Sequence, residues 1–194
     1  MGYVIRENKP KDGYLTGQLL IATPAMNESY FNKTVIYILS HSAEGAMGII
    51  VNNVIQNLSS TLIFNHLNIE RGQLHKDMPI HLGGPVDSQR GFVLHTIDYT
   101  IDTLQVTEPI ALSSNLQILK DIAAGSGPNK SLLALGYAGW EAGQLENEMA
   151  ENSWLTIQAT EELVFDVSNQ TKWDVAIKSI GINTLHFSRE AGHA

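Results

Sequence analysis

One stretch limits the possible folds more than any other: SLLALGYAGWEAGQLENEMAENSW, Ser131–Trp154. It opens on the unbroken apolar run Leu132–Leu135, ended by glycine, which suits a strand buried on both faces. Gly136, Gly139 and Gly143 then interrupt the chain around Tyr137 and Trp140. Past Gly143 the period becomes helical, with Leu145 and Met149 four apart on one face and Glu146, Asn147, Glu148 and Glu151 around the others. Early acidic residues suit the positive end of the helix dipole. Asn152 and Ser153 end the helix, and Trp154–Ile157 returns to strand-like composition. The expected order is strand, glycine turn, helix, strand, the skeleton of an α/β or α+β core.

At 194 residues the chain fits a single domain. Its hydrophobic fraction of 43% and charged fraction of 16% describe a globular protein with a lightly charged surface. A net charge of -8 works against nucleic acid, because phosphate binding needs clustered Lys and Arg to release counterions. The absence of cysteine excludes disulfides, iron–sulfur clusters, thiolate zinc sites and a cysteine nucleophile. No apolar run approaches the ~20 residues of a membrane span, so a soluble cytoplasmic protein is expected.

Residues 1–16 read as an arm that docks on the domain of residues 17–181, and residues 182–194 as a loosely ordered tail. Gly17–Thr23 is the first expected strand, stopped by Pro24. Thr34–Ser40 and Met47–Asn52, joined through His41–Ala46, predict an antiparallel hairpin. Ser59 and Ser60 cap a short helix carrying Leu62, Ile63 and Leu67. A second hairpin is expected from Pro79–Leu82 through the Gly83–Gly91 loop to Phe92–His95, folding His81 opposite Val93. Short strands follow around Leu104–Val106 and Ile110–Leu112. Ser113–Asn115 caps a helix over Leu116–Ala124 that Gly125 stops. The last expected helix, Thr171–Ile180, puts Trp173, Ile177 and Ile180 on one side, with Gly181 as its stop.

His41, His81 and His95 fall at expected strand ends, which raises a three-histidine metal site or a histidine general base. No two of them share helical spacing and no carboxylate accompanies them at a recognisable offset, so neither a metal nor a cofactor is implied. Gly136, Gly139 and Gly143 match neither the dinucleotide fingerprint nor the P-loop. No G-x-S-x-G elbow occurs. Glu146 and Glu148 are two apart and face different directions, which disfavours a shared carboxylate site. Arg90, in a loop with Gly83 and Gly84, can offer its guanidinium to an anion, or pair with an Asp or Glu of its own chain. Tyr137 and Trp140 can floor a pocket or simply pack.

Four segments together resemble the YqgE/AlgH family: LLIATPAM at 19–26, FNKTVIYILSHSAEGAMGIIVN at 31–52, IHLGGPVDSQRGFVLH at 80–95 and LGYAGWEAGQLENEMAENSWLT at 135–156. The resemblance implies a cytosolic α/β protein whose strongly bent mixed or antiparallel sheet carries flanking helices. It also implies a biochemically undefined function, under a transcriptional-regulator label linked to alginate production in some bacteria. It carries no catalytic residue and no cofactor. The Arg-Pro step usual in the family after the second hairpin strand is replaced here by Asn53-Val54.

The expected function is that of a non-enzymatic regulatory or binding protein. Its two glycine-containing loops would converge on a protein partner or small ligand, since binding concentrates in loops on rigid scaffolds. The candidate binding residues are Gly83, Gly84, Arg90, His95, Tyr137, Gly139, Trp140 and Gln144. A hydrolase-like enzyme using a strand-end histidine is the alternative. Direct DNA binding stands behind both, opposed by the acidic balance.

Overall fold

In the computed structural model, residues 13–26, 30–73 and 75–181 are described. Among these residues, ten strands and four α-helices run in the order β1 (Gln18–Ala22), β2 (Val35–Ser42), β3 (Gly45–Ile50), β4 (Val54–Ser59), α1 (Ser60–His66), β5 (Pro79–Leu82), β6 (Val86–Thr96), β7 (Leu104–Gln105), β8 (Ile110–Ser113), α2 (Leu116–Ala124), β9 (Ser131–Glu141), α3 (Gln144–Ala150), β10 (Trp154–Gln158) and α4 (Lys172–Ser179). A 3₁₀ turn at Pro24–Met26 and a π-helical turn at Glu162–Asp166 complete the set. The strands form one mixed sheet ordered β10-β1-β2-β3-β9-β6-β8-β7, with β5 on β9 and β4 on β5. It curls into a half-barrel with helices packed around it, a single mixed α/β domain.

Period-2 alternation decides which side chains meet which layer. Along β1, Leu19 and Ile21 face a core shared with Trp173 and Ile177 of α4. Leu20 and Ala22 face the opposite core, shared with Leu145 of α3, Trp140 and Trp154. Both faces of the central strands are therefore buried, which is why they read as continuous apolar runs. The same holds for the start of β9: Leu132 and Ala134 join the α4 core, while Leu133 joins Ile80, Val93 and Ile118 beneath α2.

The first hairpin forms as expected, with Ile36 opposite Ile50 and Ser42 opposite Gly45. α2 has its cap and stop where the sequence places them: the Asn115 side chain accepts the Ile118 amide at 3.0 Å, and Gly125 takes a left-handed φ of 83°. α3 and α4 also fall in the expected segments. At α1 the expected caps are replaced. Ser59 makes no capping bond; Asp77 instead accepts the Thr61 amide at 2.9 Å and the Ser60 hydroxyl at 3.1 Å. These bonds, the Thr61 amide first, hold the Asp77 carboxyl down to about 2.

Two expectations are corrected. The second hairpin does not exist, because β9 lies between its two arms. β5 pairs with β9 in parallel, His81 opposite Ala134, and β6 pairs with β9 antiparallel, Phe92 opposite that same Ala134. The glycines after Leu135 do not end the strand either. β9 continues through Gly136 and Gly139 to Glu141, and pairs with β3 over its second half.

Gly136 is where β9 changes partners, and the backbones cross there without side chains. A Cβ on Gly84 would lie 2.0 Å from the Tyr137 carbonyl carbon, and one on Gly83 would lie 2.3 Å from the Gly136 oxygen. Gly136, at φ 72°, is hemmed in by the Gly84 and Val86 carbonyls. Gly83 and Gly84, candidates for close approach to a ligand, here permit close approach of one backbone to another.

Candidate functional site

The two glycine-containing segments do lie side by side. Val86 pairs with Tyr137 and Gly91 with Leu135, so residues 87–90 bulge outward opposite the single residue Gly136. All residues from Pro85 to Gly91 are exposed. Asp87 sits at φ 48°, in the left-handed region that Asp tolerates. At the base of the bulge, Phe92 meets Tyr137 edge to face with centroids 6.0 Å apart. The Arg90 guanidinium lies 5.1 Å from the Phe92 centroid, a cation–π geometry. Among the described residues Arg90 has no carboxylate partner within 4.0 Å. Its five N–H donors therefore face solvent on a side chain that the ring holds in place. Gly139 is exposed on the neighbouring strand, 3.4 Å from the Tyr137 ring by its would-be Cβ.

Trp140 and Gln144 belong to a different, closed arrangement. The Trp140 and Trp154 indole N–H groups both donate to one Glu148 oxygen, at 2.8 and 2.7 Å. Gln144 donates to the other oxygen at 2.9 Å and accepts the Glu141 amide at 3.0 Å. The two indoles meet edge to face at 6.2 Å. Two residues earlier on α3, and pointing elsewhere as the spacing requires, Glu146 accepts from His41 Nε2 at 3.0 Å. His41 Nδ1 accepts the Leu15 amide at 3.1 Å, so in the neutral ring the proton sits on Nε2. Tyr14 packs edge-on against that ring and Thr16 accepts the His41 amide, which fastens residues 14–16 to β2.

The other two histidines are also enclosed. His95, with no exposed surface, donates from Nδ1 to the Thr96 carbonyl at 2.9 Å and meets the Ser113 hydroxyl through Nε2 at 3.1 Å. It stands opposite Ser131, at the far end of β9 from Trp140. His81 donates from Nδ1 to the Leu133 carbonyl, and its Nε2 contacts the Asn169 amide. Burial pushes both His81 and His95 below the ordinary imidazole value. The three histidines are thus dispersed, each with both ring nitrogens engaged, and no cluster of His, Cys, Asp or Glu suited to a metal occurs among the described residues.

Sequence reasoning passed over Lys172, which the structure buries to 1% exposure. Its ammonium donates to the Val51 carbonyl at 2.9 Å and the Val164 carbonyl at 2.6 Å. No carboxylate approaches within ion-pairing distance among the described residues, and desolvation lowers its pKa to about 8. The signal was available: Lys172 precedes Ala176 by four residues, on the same face of α4 as Trp173 and Ile177. The acceptor Val164 belongs to the π-helical turn, a local geometry that often accompanies functional sites.

The AlgH-like family model matches residues 19–185. A UPF0301 protein of Jannaschia sp. (strain CCS1) is 48% identical over 183 residues, covering 93% of this chain and 95% of that one. A UPF0301 protein of Rhodospirillum rubrum is 45% identical over 184 residues, covering 94% and 96%. Among solved structures, the solution structure of the AlgH protein from Pseudomonas aeruginosa superposes with a TM-score of 0.74 at 37% identity, covering 98% of this chain and all of that one. A protein from Corynebacterium diphtheriae shares the fold, with a TM-score of 0.67 at 20% identity over 91% of this chain and 90% of its own. No helix among the described residues is long and apolar enough to cross a membrane.

Proposed function

This chain belongs to the AlgH-like family, and we propose that it works by binding, with the bulge of residues 87–90 and the Arg90–Phe92–Tyr137 stack as its recognition face. The observation that carries this reading is the Arg90 guanidinium, exposed, stacked on Phe92 and unpaired by any described carboxylate. A planar fork held in place loses little entropy on meeting a carboxylate, and it can meet one bidentately. The partner is accordingly a protein that offers an acidic side chain or a chain terminus to the bulge. The overall charge of -8 does not forbid this, because charges beyond about 8 Å are largely screened at physiological salt. Nucleic acid is disfavoured as the ligand of this face because Pro85–Gly91 offers one arginine and not the clustered Lys and Arg that phosphate binding needs. Regulation through such a protein partner follows more readily than direct DNA contact.

The enzymatic alternative draws nothing from the histidines, since a general base needs a ring nitrogen that can reach substrate. The test is a photo-cross-linking amino acid at Gln89 in the cells that make the protein, with and without Arg90→Ala. A discrete adduct that disappears with Arg90→Ala is expected. Absence of an adduct, or one indifferent to Arg90, would refute the reading.

A further inference from the structure

Near the start of β9, two hollows of about 380 and 210 Å³ adjoin across Met78, Ser131, Phe165 and Asp166. Together they make a cleft between the π-helical turn with the start of α4, and the β5–β9 pair with the α2–β9 loop. Its size falls within the ~300–1,000 Å³ of small-molecule sites. Met78, Ile122, Leu132, Val164 and Phe165 supply apolar wall.

The charge lining this cleft is mainly cationic. Three lysines line it from three separate segments: Lys76 before β5, Lys130 before β9 and Lys172 on α4. The lining carboxylate, Asp166, is already engaged by Lys130 at 2.6 Å, and Glu161 reaches the same ammonium at 2.7 Å. Lys76 is exposed and has no ion-pair partner among the described residues. Lys172 is buried, and its two carbonyl acceptors use two of the three N–H bonds an ammonium carries. Burying a cation against neutral carbonyls alone is costly, and an anion nearby would relieve that cost. Lys130 spans the cleft from the α2–β9 loop to the π-helical turn, so an entering anion can exchange places with a carboxylate already there.

We propose that this cleft binds a small organic anion, a carboxylate or phosphate monoester on an apolar body, with its head on Lys76 and Lys130 towards Lys172 and its body against Met78, Ile122 and Phe165. The proposal is independent of the Arg90 face.

The test follows amide NMR shifts of the full chain titrated with phenylacetate, with phenyl phosphate, and with benzyl alcohol as the uncharged control. Expected is a saturable response at Ser131, Phe165 and Asn169 for at least one of the two anions, with a Kd below about 1 mM. That response should weaken at least tenfold in Lys76→Ala or Lys130→Ala, neither of which lies in the core. Which anion binds more tightly identifies the head group. The proposal is overturned if neither anion saturates these signals by about 10 mM. It is equally overturned if benzyl alcohol matches the anions, or if both lysine variants bind as the parent does. Lys172→Met is a further arm, expected to reduce affinity where that variant folds.

Discussion

The two ends of β9 solve the same problem in opposite ways. Under α3, buried or half-buried polar groups find complementary partners within the chain: His41 has Glu146, and two indoles and an amide share Glu148. At the other end, the buried Lys172 ammonium meets only neutral carbonyls, and Lys76 nearby has no described acid. A closed network of hydrogen bonds fixes how a helix sits on a sheet. Charge left without its counterpart beside a cleft leaves affinity for something outside the molecule. The aromatic and glycine-rich stretch that looks most like a binding loop is for the most part the closed end.

The largest test of this contrast acts on the crossing that joins the two ends. Gly84→Ala would drive a methyl group to 2.0 Å from the Tyr137 carbonyl carbon, backbone that cannot move without parting β9 from its neighbours. A loss of about 4 kcal/mol or more, or of cooperative folding altogether, is expected in urea unfolding. Near-native stability would show that the crossing is not the rigid joint described here.

Next comes the closed end itself. Glu148→Leu strips the acceptor from two indole N–H groups, and each buried donor left unpaired costs about 1–3 kcal/mol. Glu148→Gln keeps one acceptor oxygen and should recover part of that loss. If both variants destabilise equally, the charge rather than the hydrogen bonding matters.

The open end is sharpened by pH. Burial pulls the Lys172 pKa down to about 8 in the folded protein from about 10.5 as a free side chain, with Asp166 opposing it more weakly. Between those values the unfolded chain holds a proton that the folded chain has lost. The stability of the parent relative to Lys172→Met should therefore rise through that window, by about 1.4 kcal/mol per pH unit, and be constant below pH 8. A difference independent of pH would mean that the ammonium is not desolvated. The buried His81 and His95 act on the acid side: their lowered values make stability fall as pH drops below about 6.5.

The smallest expected effect belongs to Arg90. Arg90→Ala should change stability by no more than about 0.5 kcal/mol, because the side chain is exposed and its contact is with the Phe92 ring. Binding should be lost all the same. A larger destabilisation would move Arg90 from the recognition face to the structural frame.

What the sequence determined by itself is local. The β2–β3 hairpin, the Asn115 cap and Gly125 stop of α2, the place of α3 before β10 and the apolar face of α4 all rest on periodicity and capping within about a dozen residues. The resemblance to the YqgE/AlgH family rested instead on the wording of four segments, and the family match over residues 19–185 upholds it. What only the tertiary structure decided is every pairing between remote segments. β9 slips between β5 and β6 because a buried strand can satisfy its backbone on both edges at once, which no hairpin pattern reveals. Gly136 stays within that strand because flanking backbone fills the space that a side chain would occupy. His41 meets Glu146 from 105 residues away, and Lys172 reaches Val51 from 121. Sequence spacing carries no trace of such contacts, since strand register and sheet curvature, not separation along the chain, bring these atoms within a hydrogen bond of each other.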